Sequence, residues 1–132
     1  MRFTETESDY LNSQPLARLA TVAPDGTVQN SPVGFFVNTE LGTIDIGGFN
    51  LGRSKKYANI LSNPMVGVVI DDLVSRDPWT VRGIELRGTA QALADVDPPR
   101  PGMSRELIRV TPRRIISWGI DPDHPGHHAR NS

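Results

Sequence analysis

An all-β domain with two small helices, closing into a small barrel of six to seven antiparallel strands, is the fold this 132-residue chain predicts. Three observations point there. Strand-length segments recur along nearly the whole chain, parted by proline, glycine and Asn/Asp turn signals. Helix start and stop signals occur at only two places, and both helices are short. No βαβ rhythm, internal repeat or low-complexity stretch is present, so a doubly wound nucleotide fold is not expected.

The elements follow in order. Thr4-x-x-Glu7 has capping-box spacing and Gln14-Pro15 is a stop, which predicts a helix over about residues 5 to 12. From Leu16 the period becomes two, with Leu16, Arg18, Ala20 and Val22 alternating against Ala17, Leu19 and Thr21. Ala23-Pro24-Asp25-Gly26-Thr27 then supplies a turn, so a hairpin is expected whose second arm runs from Val28 to Val37. After Asn38-Thr39-Glu40-Leu41-Gly42, Thr43 to Gly47 forms the third strand. Ser54 is placed to cap a second helix with Tyr57, Ile60 and Leu61 on one apolar face, and Asn63-Pro64 ends it. Met65 to Ile70 is a continuous apolar run suited to a strand buried on both faces. Asp71 to Pro78 reads as a polar loop, and Thr80 to Ala92 as a strand with Ile84, Leu86, Ala90 and Ala92 inward. The segment 95–102 is too rich in proline for regular structure. Glu106 to Thr111 and Arg114 to Ile120 are expected as two strands split at Pro112, which cannot donate to a ladder. Residues 1–120 thus form the domain, and 121–132 a polar C-terminal tail, ordered on contact or loose.

Bulk properties narrow the function. Fourteen basic residues balance fifteen acidic ones, so no general footprint for nucleic acid or an acidic membrane is expected. The chain has no cysteine, which removes disulfides and thiolate chemistry. Its start lacks an apolar leader core and no run approaches eighteen apolar residues, so a cytoplasmic protein is expected. At this length one domain has little room for a cleft between lobes, and a pocket shared with a partner subunit is expected.

The most informative stretch is Gly47-Gly48-Phe49-Asn50-Leu51-Gly52-Arg53-Ser54-Lys55-Lys56: a glycine-rich loop, an N-cap serine and cations at a helix start. Basic residues stabilise a helix at its C-terminus and slightly destabilise it at its N-terminus. A solvated basic helix end is the plainer explanation. An anion held by backbone N–H groups, helix dipole and cations together explains the placement better.

Four segments, in this order, resemble the flavin- and deazaflavin-binding split β-barrel family that includes pyridoxamine 5'-phosphate oxidase. They are Ala17 to Gly26, Ser54-Lys55-Lys56 followed eight residues later by Pro64, Ile84 to Ala90, and Pro112 to Gly119. The resemblance covers the chain from Phe3 to about Ile120 and implies a split β-barrel, a flavin-type coenzyme and a two-fold homodimer with sites at the interface. In the oxidase, a Ser-Arg-Lys run before the helix holds the flavin phosphate, and Ser54, Lys55 and Lys56 match it. Its second-strand arginine and lysine are replaced here by Ser31 and Phe36, and its C-terminal substrate clamp has no counterpart after Trp118. Oxidation of pyridoxamine phosphate is therefore not expected. The neutral run Asn30 to Gly34 is similar to the branch assigned as reductases of coenzyme F-420, a 5-deazaflavin. On that likeness Ser31, Pro32 and Val33 face the ring, while Asn50, Arg53, Ser54, Lys55 and Lys56 face the anionic chain.

The resemblance implies an oxidoreductase in which the coenzyme carries hydride transfer to a small acceptor in a mainly apolar pocket, so no catalytic side chain is named. FMN is the alternative coenzyme, within an FMN-binding oxidoreductase of the same fold, and a non-catalytic coenzyme-binding module is the alternative of another class. Neither His124-Pro125-Gly126-His127-His128 nor Asp71-Asp72 is expected to hold a metal, the first reading better as a polar tail and the second as a turn. Trp79 and Trp118 suit either a pocket wall or the barrel rim.

Overall fold

The computed structural model describes residues 2–131. Helix α1 (Glu5–Asn12) begins at Thr4, whose hydroxyl accepts from the Glu7 N–H at 3.1 Å while the Glu7 carboxylate accepts from the Thr4 N–H at 2.8 Å, the reciprocal box that the spacing predicts. Then come β1 (Ala17–Val22), β2 (Val28–Val33), β3 (Phe36–Asn38) and β4 (Thr43–Ile46), a 3-10 turn at Leu51–Arg53, and α2 (Lys55–Ser62). The rest is strand: β5 (Met65–Arg76), β6 (Trp79–Leu93), β7 (Leu107–Trp118) and β8 (His127–Asn131).

All ladders are antiparallel, in the order β2-β1-β5-β6-β7-β4-β3, with β8 also on β7. The two ends of that order, β2 and β3, are parted in the chain by Gly34 and Phe35 alone. The sheet is therefore curled by a bent run of chain that joins its first strand to its last, a split β-barrel. Along β1, β5 and β6 alternate residues point inside, while all four residues of β4 are buried. Leu19, Ile44, Ile46, Val68, Ile70, Ile84, Leu86, Ile108, Val110 and Ile115 are fully or almost fully buried, with Tyr10 and Leu11 of α1 and Tyr57 and Ile60 of α2 packed on the same core. Each such aliphatic side chain contributes about 1.5–3 kcal/mol through removal from water.

Several expectations are corrected. The arm expected as one strand from Val28 to Val37 breaks at Gly34–Phe35, because its halves pair with different partners, β1 and β4. The run from Met65 is not buried on both faces: Val66, Val68 and Ile70 point in, while Met65 is 54% exposed. Nor does it end at Ile70. Asp71 to Arg76 continue β5, since cross-strand partners hold the turn-forming acids in a ladder, Asp72 opposite Arg82 and Leu73 opposite Val81. Pro112 does not divide β7; the register shifts there, Arg87 facing Arg114 and Gly88 facing Pro112, so that Arg113 is the extra residue of a bulge. A Cβ at Gly88 would collide with the Thr111 carbonyl, which fixes glycine at this crossing. Leu61 is exposed and Asn59 buried instead, its amide donating to Thr21 Oγ1 (3.0 Å) and Gln29 Oε1 (3.3 Å), which ties α2 to β1 and β2. The histidine-bearing tail is ordered as β8 on the same β7 edge that β4 uses further along.

Candidate coenzyme site

The loop after β4 is shaped by what packs on it. A Cβ at Gly47 would stand 3.2 Å from Met103 Sδ and 3.3 Å from Pro99 Cγ, so the proline-rich segment lies directly against the glycine-rich one. Ser104 fastens the two: its N–H donates to the Gly48 carbonyl (2.9 Å), and its hydroxyl donates to that carbonyl (3.0 Å) and accepts from the Leu51 N–H (3.2 Å). The Gly52 N–H donates to Glu106 Oε1 at 2.9 Å. Asn50 takes the left-handed conformation (φ 59°), which asparagine tolerates, and Leu51 is buried as the anchor of the 3-10 turn. Ser104 and Glu106 are absent from the expected site because they lie more than fifty residues along the chain and belong to no local motif.

Ser54 caps α2 as predicted. Its hydroxyl accepts from the Tyr57 N–H (3.3 Å) and donates to the Leu51 carbonyl (2.6 Å), so it is occupied within the protein. The amides of Lys55 and Lys56 are first-turn donors without an intrahelical acceptor. Among the described residues Arg53, Lys55 and Lys56 form no ion pair; Lys55 is exposed and Lys56 half-buried. The Asp25 carboxyl lies below the usual carboxylate range, chiefly through hydrogen bonding with Thr27 and least through the charge of Lys55, which brings the β1–β2 turn near this corner.

On β2 the period of two divides the expected ring-facing trio. Ser31 and Val33 lie on the half-buried face shared with Gln29, while Pro32 lies on the exposed face with Asn30. Ser31 Oγ is buried with no hydrogen-bond partner. That is an unusual state for a hydroxyl, and one a ligand's polar edge would relieve. An unpartnered buried hydroxyl on β2 and unpaired cations at α2 both fit a flavin-type coenzyme with a polar ring edge and an anionic chain.

Other clusters are internal. Asp45 is held bidentately by Arg109 (3.1 Å twice) and accepts from Thr43 and Asn38. Asp72 accepts from Tyr10 (2.7 Å) and Arg82 (2.8 Å); the Arg82 hydrogen bonds, opposed by burial, hold its carboxyl below the ordinary value, and burial followed by the Asp72 hydrogen bond pushes the Tyr10 phenol up. Among the described residues no three histidines or acids converge as metal ligands, and no helix is long and apolar enough to cross a membrane.

A curled antiparallel barrel with a glycine-rich loop leading into a basic helix start is the architecture of the flavin-type split barrels. The pyridoxamine 5'-phosphate oxidase family profile matches residues 3–119, and the chain belongs to that family. It is 46% identical to a 5a,11a-dehydrotetracycline/5a,11a-dehydrooxytetracycline reductase of Streptomyces rimosus, over 99% of this chain and 94% of that protein. Among solved structures it is similar to an F420 reductase (25% identity, TM-score 0.59, 77% of this chain and 90% of that one). It also superposes on a conserved hypothetical protein of Mycobacterium tuberculosis (21% identity, TM-score 0.71, 98% and 93% covered), a likeness of fold alone. The family and the reductase relative together make the protein an oxidoreductase.

Proposed function

We propose that the protein is a reductase dependent on the deazaflavin F-420, acting on a carbon–carbon double bond conjugated to carbonyl groups in a polycyclic acceptor. The observation that carries this reading is the set of cations without an ion-pair partner, Arg53, Lys55 and Lys56, at the start of α2, where the first-turn amides of Lys55 and Lys56 have no intrahelical acceptor. The relative that acts on dehydrotetracyclines supports the acceptor class, and the F420 reductase of like fold supports the coenzyme.

Bound there, a deazaflavin supplies two-electron hydride chemistry. That chemistry would reduce the acceptor's double bond by a hydride from the coenzyme and a proton from solvent. The chain's part is to bind and orient. Lys55, Lys56, Arg53 and the first-turn amides would hold the anionic chain, Asn50 would face it from the loop, and the Ser54 cap would fix the helix end at which they converge. Pro32 and the backbone of β2 would lie against the ring face, with Val33 backing them from the core side and Ser31 Oγ turned to a polar edge of the ring. The barrel interior is filled by its own aliphatic side chains, so the ring lies outside it, in a groove closed by a second copy of the chain. Leu73, Val74, Trp79 and Val81, each 39–71% exposed on the β5–β6 hairpin, offer the apolar surface for that copy.

The test is a titration of purified protein with F-420 and, separately, FMN, followed by quenching of coenzyme fluorescence. Each lost charge-assisted contact is worth about 1.5–3 kcal/mol, so replacing Lys55 and Lys56 together by alanine should weaken F-420 binding at least tenfold while leaving the thermal midpoint equal or raised. Tight FMN binding without F-420 binding would replace the coenzyme assignment. No binding of either at about 100 μM, where even a weak site of −5.5 kcal/mol registers, would remove the enzyme reading.

A further inference from the structure

A cavity of about 510 Å³ opens between the end of α1, the bend joining β2 to β3, and the proline-rich loop. That volume lies in the range of small-molecule sites. Phe35, Phe36 and Met103 give it an apolar, aromatic side, Asn12 and Gln14 give it a polar one, and Arg100 is the single cation at its lining. The Arg100 guanidinium stands 5.4 Å from the Phe36 ring centroid.

Two details distinguish the cavity from a surface dent. The same loop carries a second arginine, Arg105, which is braced by Asp95 at 2.8 Å and Asp97 at 3.7 Å. Arg100 has no acidic partner among the described residues, so its charge is left over the cavity. Gly34, at the bend, would meet nothing within 4 Å if it carried a Cβ, and its φ is not positive. Neither packing nor a positive φ requires glycine there, and a large side chain at this position would extend into the cavity. Met103 also lies against Gly47, so the cavity and the glycine-rich loop share a wall.

We propose that this cavity is the acceptor site, and that it takes a planar, mainly apolar polycycle bearing one acidic group, a carboxylate or the enolate of a 1,3-dicarbonyl. The plane lies against Phe36 and Phe35, and the acidic group pairs with Arg100, which thereby sets specificity for anionic over neutral acceptors. The assignment rests on the reductase reading for the word acceptor, but its binding chemistry is testable without any coenzyme.

The probes are 1-anilinonaphthalene-8-sulfonate, a planar aromatic anion, and its uncharged analogue N-phenyl-1-naphthylamine, both followed by fluorescence enhancement. Arg100→Gln should weaken the sulfonate at least tenfold and leave the neutral analogue within about twofold, the loss of one charge-assisted pair. Gly34→Leu, which fills the space, should weaken both. Thermal midpoints equal to that of the parent establish that the variants are folded, and F-420 affinity in Arg100→Gln should stay at the parental value. Sulfonate binding that is absent, or indifferent to both substitutions, overturns the site. Arg100-dependent sulfonate binding with neither F-420 nor FMN binding sustains the ligand site and overturns the reductase reading instead, while lost F-420 binding in Lys55→Ala/Lys56→Ala with unchanged sulfonate binding sustains both.

Discussion

Ser31 keeps a hydroxyl out of water with nothing to bond, and that places a cost of about 1 kcal/mol on the coenzyme-free protein. Ser31→Ala should therefore raise the thermal midpoint by a few degrees, on the order of 3 °C, and lower coenzyme affinity severalfold. A melting curve and an F-420 titration on the same preparation check both, and unchanged affinity would remove Ser31 from the site. Tyr10 and Asp72 predict the pH dependence. The Asp72 carboxyl is depressed from 3.8, so the stability it contributes is present above that value and disappears as pH falls below it. The Tyr10 phenol is raised from 10.0, so its contribution is complete below pH 10.0 and is lost as pH climbs beyond. Tyr10→Phe should flatten the alkaline limb of a plot of thermal midpoint against pH, and Asp72→Asn the acid limb. At this scale the sequence is readable where partners lie three residues apart, as at Thr4 with Glu7 and Ser54 with Tyr57. It is silent on Ser104, Glu106 and the Arg82 that holds Asp72, because those partners come together only through the fold.

Strand β8 shows how an element can depend on its neighbours more than on its own residues. His127 to Asn131 carry no apolar period, and they are strand because β7 offers them a free edge. Arg130 then clamps the arm to α1, its guanidinium reaching both Glu7 oxygens at 3.0 and 2.5 Å. Glu7 thus serves the capping box and this ion pair at once, and its side chain is only 8% exposed. Arg130→Ala leaves that carboxylate buried without its cation and should cost about 1–2 kcal/mol, discounted from the buried-pair value because Arg130 is 37% exposed. Adding Glu7→Gln, which keeps the capping box, should recover part of the loss in a denaturant titration. The same dependence on neighbours explains the overturned elements. Asp71 and Asp72 carry turn chemistry, but Arg82 opposite made ladder continuation the better state. Nothing in the local sequence of 28–37 reveals that its two halves belong to different ladders, although the helices and the alternation of β1 and β6 were plain.

For the whole molecule, the balanced charge and the filled interior leave surface grooves as the place for chemistry. If a second copy seats on the β5–β6 hairpin as proposed, the sedimentation mass should be twice the 14.5 kDa of the chain. Trp79→Glu, changing a side chain that is 71% exposed, should shift that mass to one chain and weaken coenzyme binding along with it. Binding that persists unchanged in a monomer would assign the groove to a single chain. Finally, the bend at Gly34 and Phe35 spans the gap between the outermost strands with a tether of roughly 10 Å at full stretch. A cylinder stitched everywhere else and pinned at that one corner can splay only like a collar held by its top button. Any loosening of its free margins must widen away from the pin, so the seam can part in a single direction and stays shut where the cavity lies.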